Sequence, residues 1–297
     1  MITTGQWADD LEPIAHKGHQ LGFKEVPAER DMLFTVKHSD KLTETYLELG
    51  DIGAMNEFTG SVDYEDVAQG YKMTITAKEF AQGMKIQRKL ARTDQLDIVE
   101  GLSKLIGLSG RRRLANDVVF GYNNAFNTAI TTIDGLQLCS SAHTSNANQG
   151  GASQSNRGTS AFSPVALEAA RISMSKFNTN KDNLFECEGD LILHPQDLDE
   201  AVWEIQKSSG KVDTANNNRN FHMGKYKSLS MKRLNDANNW FLIDSELLKQ
   251  FAIWNEVDPM EFKQAEDFDG LVAKYLAYMF YGFGFTDWRF VFGSEVS

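Results

Sequence analysis

Cys139 and His143 stand four residues apart beside Ser140 and Ser141. A Cys/His pair can carry acyl transfer when a third group orients the base and donors face the developing oxyanion. Neither accompanies this segment. The Ser/Asn/Gly/Thr/Gln-rich stretch 144–160 that follows is a poor platform for fixed geometry, so a packed turn is the plainer reading. His16 and His19 form an i, i+3 pair of the kind metals use, but no Cys or carboxylate cluster joins them. His38, His194 and His222 are scattered, and His194-Pro195 reads as the end of a strand. Asp267-Phe268-Asp269-Gly270 lacks the alternating ligands of a calcium loop. There is no glycine-rich phosphate loop, dinucleotide fingerprint or His-Glu-x-x-His motif. The sequence therefore offers no catalytic, cofactor-binding or metal residues, and the expectation is a protein that is not an enzyme.

Two charged groupings remain. Arg111-Arg112-Arg113, with Arg88, Lys89 and Arg92 upstream, suits DNA or an acidic patch on a neighbour; a solvated helix face explains it equally well. Asp287-Trp288-Arg289 can set Arg289 against a carboxylate or an aromatic ring, or be a pair at the edge of a core strand.

The 297 residues suffice for one large domain or two modest ones. Hydrophobic residues make up 41% and charged residues 24%, ordinary for a folded soluble chain. A net charge of -11 provides no global footprint for gripping phosphates, but it keeps a densely packed protein soluble before assembly. Cys139 and Cys187 lack metal-ligand spacing and read as two buried thiols in a reducing cytoplasm. The N-terminal residues show no secretory signal, and no apolar run reaches the ~20 residues of a membrane helix.

Gly18, Gly22, Pro13 and Pro27 break any long helix in residues 1–34, which read as an extended arm needing a neighbour. Residues 36–90 read as a long two-stranded hairpin with a polar, acidic tip at 51–70. Such ribbons are marginal alone in water, so another copy of the chain is the expected support. A helix is expected from Thr93 to about Asn127, with Thr93 as N-cap and an apolar face through Leu96, Val99, Leu102, Leu105, Leu114 and Val118. Gly101, Gly107, Gly110 and Gly121 inside it permit close packing or mark breaks. Ser163-Pro164 opens a helix to about Asn178. Leu191-Ile192-Leu193 is a short buried strand, followed by a helix from Leu198 to about Lys207. Residues 208–224 form a polar loop, and strands follow at Leu229–Met231, Trp240–Ile243 and within Val272–Phe292.

Several segments carry a family resemblance by their order and spacing. They are Glu79-Phe80-Ala81-Gln82-Gly83-Met84-Lys85-Ile86, Leu90-Ala91-Arg92-Thr93-Asp94-Gln95-Leu96, Asp134-Gly135-Leu136 with His143, Ser163-Pro164, Asp190-Leu191-Ile192-Leu193-His194-Pro195, and Phe283-Gly284-Phe285-Thr286-Asp287-Trp288-Arg289. The chain resembles tailed-bacteriophage major capsid proteins of the Hong Kong ninety-seven fold, especially the Mu-like major head subunit family. The resemblance implies an α+β capsid fold with an N-arm at 1–34 and an E-loop hairpin with flanking strands at 35–92. It implies a peripheral domain at 93–162 with a spine helix at 93–127, an axial domain at 163–255, and a return to the peripheral sheet at 256–297.

It further implies a structural subunit that self-assembles into hexamers and pentamers of an icosahedral head around double-stranded DNA. Scaffolding, portal and decoration proteins are the other implied partners, with no membrane. Packaged DNA would be met by non-specific contact, and the location is the virion capsid, assembled in the host cytoplasm. Because the arm begins almost at Met1, a separate scaffold is expected. Candidate subunit-interface residues are Trp7 and Phe23 on the arm, Tyr46, Phe58, Tyr64 and Tyr71 on the hairpin, and Arg111, Arg112 and Arg113 on the spine. Alternatives are an encapsulin-like compartment shell and a Cys/His hydrolase built on Cys139 and His143.

Overall fold

A computed structural model describes residues 7–25, 29–49, 51, 55, 57–58, 60, 64, 69–87, 89, 96–144, 151–210, 219–267 and 270–296. The chain divides into two compact units. The first comprises Met1–Glu44, Thr76–Val118 and Trp254–Phe283; the second comprises Thr45–Ile75, Val119–Ile253 and Gly284–Ser297.

The first unit is built on a four-stranded sheet. Its strands are β1 (Thr35–His38), β4 (Lys78–Gln87), β9 (Ala252–Asp267) and β10 (Val272–Phe285), in the order β1-β9-β10-β4. β4 runs antiparallel to β10, with Gln87 opposite Val272 and Lys78 opposite Tyr281. Two helices, α1 (Trp7–Glu25) and α3 (Leu96–Asn123), share a core with it; a short helix, α2 (Arg30–Leu33), leads into β1. That core joins Leu11 and Ala15 of α1, Val99 of α3, Ile86 of β4, and Ala273 and Tyr275 of β10.

The extended arm expected at 1–34 is therefore corrected, because residues 7–25 are helical. The glycines taken as breakers are contact points. A Cβ on Gly18 would strike the Glu100 carbonyl, one on Gly22 the Lys104 carbonyl, and one on Gly107 of α3 the His19 carbonyl. Without side chains at those positions the two helix backbones touch, and the close packing offsets the helix-propensity cost of glycine. Gly121 likewise accepts the Phe285 ring and Gly110 the Met260 side chain, so α3 is unbroken through its glycines. Its expected start at Thr93 lies outside the described residues. It ends at Asn123, short of Asn127: the Asn123 side chain bonds Arg233 O and Asn235 N, and Asn124 bonds back to Phe120 O.

The long hairpin expected at 36–90 is also shorter than that. Only β2 (Thr43–Leu49) and β3 (Gln69–Thr76) form the two-stranded ribbon. β4 leaves it for the body sheet because Phe80 stacks on Tyr281, 4.9 Å between centroids, and Ile86 is buried beside Tyr275. A four-stranded sheet provides the apolar support that a free ribbon lacks.

The second unit carries a five-stranded sheet, order β5-β11-β8-β6-β7, from β5 (Arg157–Gly158), β6 (Leu191–His194), β7 (Lys227–Ser230), β8 (Trp240–Ile243) and β11 (Val291–Ser294). The central strands Leu191–His194 and Trp240–Ile243 are buried along their whole length, which is why they read as continuous apolar runs. Packed on them are α4 (Pro164–Met174) and α5 (Asp199–Lys207), which bury Leu167, Ala170, Met174, Val202 and Ile205 beside Ile192, Leu242 and Trp288. As expected, Ser163 caps α4: its side chain accepts from Ala166 N at 3.2 Å, and Pro164 follows.

The helix α6 (Ser245–Phe251) and strand β9 were not foreseen. Asp244 is the cap that was overlooked, accepting from Glu246 N and Leu247 N at 3.0 Å. The expected strand region Val272–Phe292 is two strands, β10 and β11, separated by the turn around Asp287–Phe290.

Candidate functional site

The Cys139–His143 segment is a buried knot in the second unit. Cys139 is fully buried, and Gly293 of β11 passes against its sulfur. Burial pushes the thiol far above its ordinary range, so little thiolate is available for attack. The His143 ring lies flat on the Trp288 indole, 4.2 Å between centroids and 5° between planes. Its Nδ1 is 2.6 Å from Asp134 Oδ2, and its Nε2 is 3.0 Å from Asn156 Oδ1. Burial works against the Asp134 charge, but hydrogen bonds from His143 and Thr132 outweigh it and hold the carboxyl below its usual range.

Asn156 fixes the knot. Its amide donates to Leu138 O at 2.8 Å and Val291 O at 3.0 Å, and its Oδ1 accepts from Ser140 N at 2.8 Å. Those three bonds set which end of the amide faces His143. Both ring nitrogens therefore face oxygens, and the ring is fixed at both edges. The third group that a Cys/His site needs does exist, as Asp134. It serves a histidine pinned under Trp288, however, and the nearby thiol is sealed. The arrangement ties residues 134–143, 156 and 288–291 together. Sequence reasoning missed Asn156 because it sits in a stretch read as a polar loop. In fact residues 154–158 pair with His143 and β11, and Asn156 is wholly buried.

Arg289 behaves as its motif allows. Its guanidinium bonds Asp287 at 2.8 Å, Asn180 Oδ1 at 2.7 Å and Asn178 O at 3.0 Å, over the Phe185 and Trp288 rings. Asn180 in turn bonds Glu48 of β2, and Asp51 bonds Thr179 and Asn183. Two carboxylates thus anchor the far end of the β2–β3 ribbon, where β2 runs into the connection, to the loop 178–183.

The candidate contact residues separate into two groups. Phe23 is half-buried beside His19, with the Arg111 guanidinium 5.1 Å above its ring. Arg113 bonds Asp117 at 2.9 Å and lies 4.4 Å over Phe80. Tyr281 donates to the same Asp117 oxygen at 2.6 Å; burial raises that carboxyl's pKa despite both partners. Tyr46 and Tyr71 are partly buried on β2 and β3. These five have surroundings within the chain. Phe58 and Tyr64, by contrast, are 71% and 94% exposed, with Met55 nearby in the sequence, and Arg112 points outward. Trp7 begins α1, but its side chain lies outside the described residues. Among the described residues no group of three His, Cys, Asp or Glu could hold a metal. No described helix is long and apolar enough to cross a membrane.

Comparison with known proteins places this geometry. Residues 70–293 match the family model described as phage capsid protein. Among solved structures, the chain is similar to the bacteriophage JBD30 procapsid, with a TM-score of 0.55 at 17% identity, covering 98% of this chain and 76% of that one. The cyanophage P-SCSP1u capsid gives a TM-score of 0.59 at 13% identity, covering 92% and 90%. Against the JBD30 capsid the TM-score is 0.52 at 13% identity; 90% of this chain is covered, and it spans 65% of that chain's length. At such identities the likenesses establish the fold. No curated protein matches the sequence.

Proposed function

The chain belongs to the phage capsid protein family, and from that premise we propose how its parts serve a head shell. It is a structural subunit with the Hong Kong ninety-seven-type α+β capsid fold, a component of the virion. In the proposed assembly, copies form the hexamers and pentamers of an icosahedral head that encloses double-stranded DNA.

One observation carries the assembly reading. The segment joining β2 to β3 presents Met55, Phe58 and Tyr64 to solvent, with 99%, 71% and 94% of each exposed. Three large apolar side chains on a polar, acidic connection gain burial only from another molecule, and a neighbouring copy is the available one. Residues 35–92 then act as the E-loop region, 1–34 as the N-arm region, 163–255 as the axial domain, and 93–162 with 256–297 as the peripheral domain. Arg112, an exposed member of the arginine triplet, is the candidate for non-specific contact with DNA or with an acidic patch on a neighbour. Scaffolding, portal and decoration proteins are proposed partners, and assembly in the host cytoplasm is proposed with them. Nothing favours the encapsulin-like or hydrolase readings.

Negative-stain images of the expressed full chain, with and without a scaffolding protein, test this. Rings or closed shells are expected. A chain that stays monomeric in every condition overturns the reading.

A further inference from the structure

Trp203 on α5 is 64% exposed, an unusual position for the largest side chain. Asp199, Glu200 and Glu204 are exposed around it on the same helix, with only Lys207 in opposition at the helix end. Asp199, Glu200 and Lys207 stand three or four residues from Trp203 and share its face, and Glu204, four residues after Glu200, flanks it on the adjacent ridge. The result is an aromatic knob in an acidic collar.

A second feature of the same unit is its chemical complement. α4 and residues 219–222 form an open groove of about 590 Å3, whose apolar lining includes Val165, Ala169, Ile172 and Phe221. Val165 is 73% exposed and Phe221 53%. The charges around the groove are mainly positive. Lys225 Nζ lies 3.0 Å from the centroid of the Phe221 ring, the Arg171 guanidinium lies 5.5 Å from it, and Arg219 lines the wall. The acid in the lining, Glu168, is tied to Arg171 by bonds of 2.7 and 3.0 Å. His222, also in the lining, is buried, and burial lowers its pKa, so it adds no charge at neutral pH. Trp203 does not line this groove.

We propose that Trp203 of one copy seats in the groove of a second copy, with Asp199, Glu200 and Glu204 facing Arg219 and Lys225. The contact rests on the shell reading and deepens it. Two different surfaces meet, so the contact is heterologous, and repeated around an axis it closes a ring. Its centre is a tryptophan in an apolar seat with charged groups at the rim, the usual composition of an interface hot spot.

The test mixes two full-length variants, Glu204→Cys and Arg219→Cys, under assembly conditions and adds a short bis-maleimide. The native thiols are buried and stay silent. Covalent dimers are expected in the mixture and in neither variant alone. Assemblies without such dimers overturn the contact and leave the shell reading standing; dimers from Glu204→Cys alone overturn it too, because that face would then meet itself. Trp203→Ala is expected to weaken association about 30-fold, the ~2 kcal/mol of one hot-spot residue. Glu200→Lys with Glu204→Lys should impair assembly, and Arg219→Glu with Lys225→Glu in the same chain should restore it. Failure of that restoration counts against the charge pairing. A wild-type chain that never assembles removes the shell reading itself.

Discussion

Gly22 of α1 lies so close to the Lys104 carbonyl of α3 that a Cβ on the glycine has no room. Gly18 meets the Glu100 carbonyl in the same way, one helical turn earlier on each helix. The ion pairs beside this seam, Lys17–Glu100 at 3.2 Å and Lys104–Glu25 at 3.0 Å, are largely exposed and contribute little. Docking of α1 therefore depends on backbone contact and on Leu11 and Ala15 in the core.

Gly22→Ala sets two effects against each other. Alanine favours the helix by about 1 kcal/mol, while overpacking against a backbone carbonyl costs about 1–3 kcal/mol. The carbonyl belongs to a core helix and cannot yield cheaply, so net destabilisation is expected. Gly101→Ala is the control: nothing stands within 4 Å of its Cβ position, and a gain of up to about 1 kcal/mol is expected there. Urea unfolding midpoints decide both, and a stabilised Gly22→Ala would refute the tight seam.

His19 makes the stability of the first unit sensitive to pH. It is buried between Phe262, 4.5 Å away, and Phe23, and neither ring nitrogen has a hydrogen-bond partner. Burial lowers its pKa, and His16 on the same helix adds to the effect. From α3, Arg111 over Phe23 brings another positive charge. The charged groups of the seam, Lys17, Glu100, Lys104 and Glu25, pair with one another, and β9 contributes Phe262. The unfolded chain takes up this proton near pH 6.5, the folded chain only below that. Stability is therefore complete above about pH 6.5 and falls as pH drops through the interval between the two values, by at most about 1.4 kcal/mol per pH unit. His194 and His222 are shifted the same way in the second unit. His19→Phe should keep the stack and lose less stability than wild type between pH 7 and 5. Parallel pH curves for the two proteins would remove His19 as a cause.

Much of the second unit could be read from the sequence because its signals are local. Ser163-Pro164 names its own helix, and Leu191–Leu193 and Trp240–Ile243 are apolar runs that only a buried strand explains. The first unit was harder to read. Gly18 and Gly22 look like breaks until the Glu100 and Lys104 carbonyls, some 82 residues on, supply the facing surface. β4 looked like part of a free ribbon because its partner, β10, lies almost 200 residues away. The candidate surfaces divide similarly. Phe58 and Tyr64 stood out as large side chains in polar sequence, but Phe23, Arg111 and Arg113 are taken up by contacts of which only Arg113–Asp117, at i, i+4, is announced by spacing; Arg111–Phe23 and Arg113–Phe80 are not. Asn156 gave no signal, since its role comes from three segments converging on one amide.

Asn156→Ala tests that convergence. It removes the donor to Leu138 O and Val291 O and the acceptor for Ser140 N and His143. Buried groups left unpaired cost about 1–3 kcal/mol each, less what water or relaxation recovers. A loss of about 3 kcal/mol is expected, with a changed near-ultraviolet signal from Trp288, which stacks on His143. Unchanged stability would mean that residues 151–160 are held elsewhere.

The two thiols provide the last prediction. Burial is the main cause that pushes each far above its usual pKa; Asp244 adds to the effect at Cys187. A thiolate reagent needs both access and deprotonation, and the native fold denies both, with Gly293 closed over the Cys139 sulfur and Cys187 donating to Arg289 O at 3.3 Å. Labelling by a maleimide at pH 7.5 should therefore be slow and should follow the unfolding equilibrium, accelerating with urea as the stability falls. Cys139→Ala is expected to assemble as wild type does, at a stability cost of about 1 kcal/mol for the small void it leaves. Rapid labelling of Cys139 in the native protein would instead mean an accessible nucleophile beside His143, and it would reopen the catalytic reading that the buried Asp134–His143–Asn156 knot now closes.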